Sequence, residues 1–243
     1  MSRRRWRSFA NTIAKFAKQV PLMLAALMWL HTASAAELRP TADDYNELFK
    51  QPATTAALTD LMHQLQIAQA SRGQFQQTRW LTVLKKPLQS QGQFLFSPKL
   101  GFYWQQLQPF ATTLILQGQS LTQVDSQGNI SQQSTSAAPS QLGSLLQQLM
   151  RALLSADIDF LQQHFTLYLQ PAAAAEPWRL GLIASDAELS KLLPRIVLLG
   201  NHEVQRIVML GRQQDVSEIK LLNVQQGALT AAEQARFNAA GAK

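Results

Sequence analysis

The sequence predicts an α+β domain built around an antiparallel β-sheet of about ten to eleven strands. Short apolar and polar alternations recur from Gly73 to Ser134 and again from Phe165 to Gln226. The connections between them are short, about two to five residues, which pairs neighbouring strands antiparallel because parallel neighbours need long crossovers. Between the two groups the apolar spacing changes to that of a helix.

The first 35 residues stand apart from this domain. They hold Arg3, Arg4, Arg5, Arg7, Lys15 and Lys18, six of the 22 basic residues, and none of the 15 acids. Nearly all of the formal net charge of +7 therefore belongs to the leader, and the remainder is nearly balanced. A cationic start, an apolar run from Val20 to Leu30 and the small residues Ala33-Ser34-Ala35 are the parts of an export signal. Cleavage is expected after Ala35 or Ala36, leaving 36–243 as a single domain. The apolar run is shorter than the ~20 residues that cross a bilayer, which disfavours an uncleaved anchor. "SRRRW" has a faint twin-arginine character but lies far from the apolar run, so ordinary Sec export is expected. The chain has no cysteine, which excludes disulfides and attachment of a lipid through a thiol at the cleavage site.

From Thr41 the spacing of Tyr45, Leu48 and Phe49 is helical, with Thr41 or Asp43 able to cap, and after Pro52 a second helix carries Leu58, Leu61, Met62 and Leu65. Strands are expected over Gly73–Leu84, Ser90–Ser97, Gly101–Gln108 and Ala111–Gly118, with turns at Lys85-Lys86-Pro87 and Ser97-Pro98-Lys99, then a further hairpin with its tip at Asp125 to Asn129. In "PSQLGSLLQQLMRALLSADIDF", residues Leu142, Leu145, Leu146, Leu149, Met150, Leu153 and Leu154 form one unbroken helical stripe. Strands resume over Phe165–Pro171, Pro177–Ser185, Arg195–Gly200, Glu203–Arg212 and Ser217–Gln226. A short helix is expected at Asp186 to Leu192 and a terminal helical turn in "LTAAEQARF".

The stretch "GQFLFSPKLGFYWQQLQP" concentrates five aromatic rings between Phe94 and Trp104. Side chains alternate along a strand, so Phe94 and Phe96 share a face, as do Phe102 and Trp104, with Leu114 and Leu116 continuing it on the next strand. Tyr103, Gln93 and Gln105 point the other way. A filled core under the helices at 44–66 and 140–154 and a ligand-holding wall have the same composition, so order and motif must separate them.

The order is a helix, a run of strands, a leucine-rich helical insertion and further strands, behind an export signal. It resembles the LolA family of periplasmic lipoprotein carriers of Gram-negative bacteria. The resemblance is carried by Gly92, Pro98, Phe102, Trp104 and Pro109, by "GQFQQTRW", and by the closing segment from Gly200 to Phe237, spanning about residues 55–237. It implies an incomplete, strongly curved antiparallel barrel with helices covering its concave face, holding the acyl chains of a lipoprotein in transit between membranes. Phe94, Phe96, Phe102, Trp104, Leu114 and Leu116 would line that cavity from the sheet. Leu142, Leu145, Leu146, Leu149, Met150 and Leu153 would close it from the insertion helix. Further implied are an inner-membrane release complex as donor, an outer-membrane lipoprotein as acceptor, acylated cargo, and a monomeric state. The family typically places an arginine directly before the motif's proline, where it latches the lid, and here that residue is Ser97. Lys99 offers a charge without the guanidinium fork. A paralogue moving a different acylated or polyene lipid would fit this departure, as would a periplasmic lipid or lipoprotein sensor that does not transport.

Catalysis and cofactors are not expected. His63, His164 and His202 follow no zinc spacing, although Asp157 and Asp159 precede His164 and Glu203 adjoins His202. Asp157 reads as a helix cap. No nucleophile elbow, P-loop, dinucleotide glycine pattern or H-E-x-x-H run occurs. Nucleic-acid binding is disfavoured because the region after the leader lacks a basic stripe.

Overall fold

The computed structural model of the chain describes residues 39–65, 70–118, 120–134, 152, 158–173, 176–185, 190 and 195–238. The leader and nearly all of the predicted insertion helix lie outside these residues, as do the short helix expected at Asp186 to Leu192, apart from Ser190, and the proposed cap Asp157.

Strands β1 (Ser71–Trp80), β2 (Leu88–Ser97), β3 (Gly101–Gln108), β4 (Thr112–Gln117), β5 (Ser120–Val124) and β6 (Ile130–Ser134) form one meander. Strands β7 (Phe165–Gln170), β8 (Trp178–Ala184), β9 (Arg195–Gly200), β10 (Val204–Leu210) and β11 (Val216–Gln226) form a second. The two join through β1 and β11, giving one eleven-stranded sheet in the order β6-β5-β4-β3-β2-β1-β11-β10-β9-β8-β7. The pairings are antiparallel. Strands β6 and β7 are its two edges and do not pair with each other, so the sheet is open, as an incomplete barrel requires.

The hairpin between β1 and β2 is longer than the expected turn at Lys85 to Pro87. β1 stops at Trp80 because Thr82 turns across to the β10–β11 connection: its amide donates to Asp215 Oδ1 at 2.7 Å and its hydroxyl donates to the Gln213 carbonyl. Those bonds replace the ladder partners that a strand running to Leu84 would need.

Register sorts the side chains onto two faces. On the first, Phe75 lies between Gly92 and Leu221, and beside it on the same face a second row runs from Gly73 through Phe94, Trp104 and Leu114. In the second meander the same face carries Ile207, Leu198, Leu180 and Leu169. Helix α1 (Thr55–Gln64) and helix α2 (Ile158–His164) cover this second part: Leu58, Leu61 and Leu161 pack with Phe165, Leu167, Leu180, Leu182 and Leu198, and Ala152 is buried among them. Helix α1 starts where the residue chemistry permits, Thr54 being extended with its hydroxyl accepting the Ala57 amide at 3.3 Å. Leu58 and Leu182 are completely buried, each worth about 1.5–3 kcal/mol relative to exposure.

The reverse face is covered by the two ends of the domain. The segment read as a helix from Thr41 is instead two 3-10 turns, Asp43–Tyr45 and Leu48–Lys50, followed by extended Gln51 before Pro52. Polar side chains tie this segment locally, Thr41 N–H donating to Asp44 and Asn46 donating to Asp43. Tyr45 and Leu48 pack against Val197, Leu199, Val208, Leu210 and Val216, away from α1. Beneath them Glu218 is only 3% exposed and pairs with Arg206. Burial raises the Tyr45 phenol above its ordinary value, Arg206 opposing and the Glu218 carboxylate adding to the shift.

At the other end, helix α3 (Ala231–Asn238) brings Phe237, with Leu229, onto Leu95, Tyr103 and Ile115. Thr230 and Glu233 form a capping box at its start: the Thr230 amide donates to Glu233 Oε2 at 2.7 Å and the Glu233 amide donates to Thr230 Oγ1 at 3.3 Å. Arg72 on β1 holds the segment down, its Nη1 donating to both Glu233 carboxylate oxygens at 3.1 and 3.2 Å and its Nη2 donating to the Ala228 carbonyl at 2.7 Å.

Candidate functional site

The six residues expected to line the sheet side of a cavity do share one face. Phe94 pairs with Trp104 and Trp104 with Leu114, while Phe96 pairs with Phe102 and Phe102 with Leu116. Phe94 and Phe96 are each 3% exposed, whereas Phe102, Trp104, Leu114 and Leu116 are half-buried. The lid residues Leu142, Leu145, Leu146, Leu149, Met150 and Leu153 lie outside the described residues.

Trp104 is the hub of a ring cluster. Phe75 stacks on it with centroids 3.6 Å apart and planes 19° off parallel, Phe102 stands at 5.8 Å and Phe94 at 6.5 Å. Stacked and tilted rings also hold each other, because π-faces and edges attract beyond the area they bury. Phe75 is 1% exposed and was missing from the residues expected at the wall. Its strand offers one aromatic on this face where β2 and β3 each offer two, and alternation alone gives it little weight. The available signal was a repeated Gly-Gln-Phe, at Gly73 to Phe75 and again at Gly92 to Phe94.

The repeat has a geometric reason. Gly73 pairs with Phe94 and Phe75 with Gly92, so each ring lies across the opposite glycine. A Cβ on Gly73 would come within 2.7 Å of the Phe94 ring. One on Gly92 would sit 2.7 Å from the Phe75 ring and 1.9 Å from the Gln105 carbonyl oxygen. The register shift between Gln91 and Gly92 brings that carbonyl close, and only glycine fits beneath it.

The glutamines between the aromatics occupy the reverse face. Gln93 donates to Gln105 at 2.6 Å and Gln91 to Gln108 at 2.9 Å, forming cross-strand amide pairs. On that face the amide pairs flank Leu95 and Tyr103, which α3 covers, so the ring-rich side is the one that α3 leaves free.

Ser97 does something different from a latch. It is 8% exposed, and its hydroxyl accepts the amides of Lys99 at 3.3 Å and Leu100 at 3.2 Å, so it caps the β2–β3 turn. The side chain is spent within its own turn and does not reach across the aromatic face.

A cleft of about 290 Å³ lies away from the wall, between the Arg39–Asp43 segment and the β10–β11 connection. Its lining includes Arg39, Thr41, Asp43 and Asp215, polar groups that suit water better than a hydrocarbon chain. Asp215 is held below the usual carboxylate range by the Thr82 amide and hydroxyl. Among the described residues no group of three or more His, Asp or Glu side chains could hold a metal ion. His63 and His202 are exposed, and the half-buried His164 rests 4.6 Å from the Phe160 ring, so the three do not assemble with acids into one site.

Residues 51–242 match a protein-family model described as outer membrane lipoprotein carrier protein LolA-like. Among solved structures, a LolA superfamily protein from Nitrosomonas europaea shares 10% identity, covering 74% of this chain and 96% of that one, with a TM-score of 0.41. A DUF1329 family protein from Desulfovibrio piger shares 12%, covering 76% and 98%, with a TM-score of 0.40. An outer membrane lipoprotein-sorting protein domain from Vibrio parahaemolyticus shares 7%, covering 73% and 94%, with a TM-score of 0.39. A comparison with curated proteins gives no match.

Proposed function

Because the chain belongs to the LolA-like family of outer membrane lipoprotein carriers, we propose that it is a periplasmic carrier that shelters acyl chains against its aromatic face while they cross from the inner to the outer membrane. On this reading residues 1–35 are the export signal, and 36–243 are one lipid-binding domain acting as a monomer. The cargo is an acylated lipoprotein or lipid, received from an inner-membrane release complex and passed to an outer-membrane acceptor.

The observation that carries the proposal is the half-covered ring cluster around Trp104, on the same face as a fully covered aliphatic core. Each methylene taken out of water is worth about 0.8 kcal/mol, so a chain of many methylenes needs such a surface to cross an aqueous compartment. A carrier must also let go, and a wall that keeps its own shape by ring stacking can be left empty without collapsing. Phe75, Phe94, Phe96, Phe102, Trp104, Leu114 and Leu116 make the sheet side of this site, and Leu142, Leu145, Leu146, Leu149, Met150 and Leu153 its cover.

Ser97 favours a second reading within the same site. With a turn cap where the family has its arginine, the latch of that family has no counterpart at this position, which suits a different acylated or polyene lipid. Mass spectrometry of lipids that accompany the exported protein tests both. Acylated lipoproteins support the first reading and other apolar chains the second, while a protein empty of both, unable to bind a fluorescent acyl probe, overturns the carrier proposal.

A further inference from the structure

The large apolar side chains that stand exposed among the described residues gather at one rim of the sheet. They are Val83 at 87%, Phe110 at 71%, Leu107 at 50%, Leu88 at 47%, Leu84 at 43% and Ile130 at 43%. β1, β3 and β5 run toward this rim and β2, β4 and β6 away from it, as the pairings Arg79 with Leu88, Gln91 with Gln108 and Val124 with Ile130 require. The β1–β2, β3–β4 and β5–β6 connections therefore project from the same side. The opposite rim, with its turns at 98–100 and 201–203, exposes none of these residues.

Scattered single apolar residues on a surface need no explanation, but six on adjacent hairpin ends do. Val83 and Phe110 sit at the tips themselves, where nothing in their own sheet can cover them. Lys85 and Lys86 share the first tip, both exposed and without an ion pair among the described residues. The acids of this rim hydrogen-bond within its connections and do not pair with these lysines. Asp215 accepts from Thr82, and Asp125 accepts from the amides of Gln127 and Asn129 at 2.8 and 2.9 Å within its own turn.

We infer that this rim is a membrane-docking edge, with Val83 and Phe110 entering the headgroup boundary of an anionic bilayer and Lys85 and Lys86 meeting its phosphates. Narrow hairpin tips give too small a footprint for a stable protein interface, which buries about 800 Å² on each partner. They suit shallow insertion, in which a few apolar side chains and neighbouring cations act together and neither alone is sufficient. The proposal concerns the rim, not the aromatic wall, so it extends the carrier reading without depending on it.

Flotation with phosphatidylcholine vesicles containing phosphatidylglycerol tests it, using the exported, processed protein. The native chain should float with these vesicles, less with phosphatidylcholine alone, and less as salt is raised. The Val83→Ser/Phe110→Ser double variant should lose about ten-fold in vesicle affinity with an unchanged melting curve, because both side chains are exposed. Lys85→Glu/Lys86→Glu should lose its preference for anionic vesicles, and Trp104→Ala should float like the native chain. Absence of the native chain from anionic vesicles, or equal flotation of Val83→Ser/Phe110→Ser, overturns the inference. If flotation is lost only in Trp104→Ala, the contact runs through the wall and not the rim, which also overturns it.

Discussion

Across β7 to β9 the first face of the sheet is aliphatic and roofed: Leu167, Leu180, Leu182 and Leu198 lie under α1 and α2 with at most 4% exposure. Across β1 to β4 the same face is aromatic, and although Phe75, Phe94 and Phe96 are at most 3% exposed, Phe102, Trp104, Leu114 and Leu116 keep part of their surface open. One alternation pattern thus yields a filled core in one region and a wall in the other. Aliphatic side chains gain mainly from the area they bury and need a cover, whereas rings that stack on a common tryptophan retain some order with one side free. The two regions should consequently answer to mutation in different ways.

The largest effect is expected where the wall's geometry leaves no slack. Gly92→Ala puts a methyl group 1.9 Å from the Gln105 carbonyl oxygen and against the Phe75 ring, so β2 and β3 must separate. A loss above about 4 kcal/mol is expected in urea denaturation, the range reserved for such conflicts. A mild effect would mean that the register shift at Gln91 is not what keeps the wall in place.

Next comes the direct contrast of roof and wall. Leu182→Ala should cost about 3 kcal/mol through a cavity in the covered region and leave binding of a fluorescent acyl probe unchanged. Trp104→Ala should cost less, about 1–2 kcal/mol for a half-buried hub, and weaken the probe by about ten-fold. Equal stability losses with unchanged probe binding would turn the aromatic region into ordinary core and remove the distinction.

The smallest effect concerns the clamp behind the wall. Burial pushes the Glu233 carboxyl up, but the Thr230 amide and hydroxyl, with Arg72 and Arg236, outweigh it and hold the group below its ordinary value. A carboxylate lowered in this way adds stability that is present above its unfolded-state pKa and is lost as pH falls through the folded value. Urea midpoints of the native chain should therefore drop on acidification, and Glu233→Gln should be less stable at neutral pH with a flatter acid limb. A parallel acid limb in the variant would show that α3 is held by Phe237 alone.

Much of the wall was legible in the sequence. Strand period and short turns are local, so Phe94, Phe96, Phe102, Trp104, Leu114 and Leu116 could be assigned to one face before any coordinates. Phe75 was not legible by alternation, since its ring reaches Trp104 across Gly92, and only the repeated Gly-Gln-Phe hints at that crossing. The segment from Thr41 reads as helical and "LTAAEQARF" as a terminal helical turn, but apolar spacing says that a face is buried without saying against what. Both proved to lie on the reverse face.

The sequence by itself determined the eleven alternating segments, their antiparallel neighbours within each meander, and the concentration of rings on β2 and β3. These follow from backbone periodicity and from turns that close over a few residues. Only the tertiary structure decided that β1 pairs with β11, that residues 43–50 and 231–238 pack on the reverse face, and that three hairpin ends share one exposed rim. Those outcomes join residues far apart in the chain, where loop closure costs nearly the same for many partners and the fit of side chains over the whole sheet selects among them.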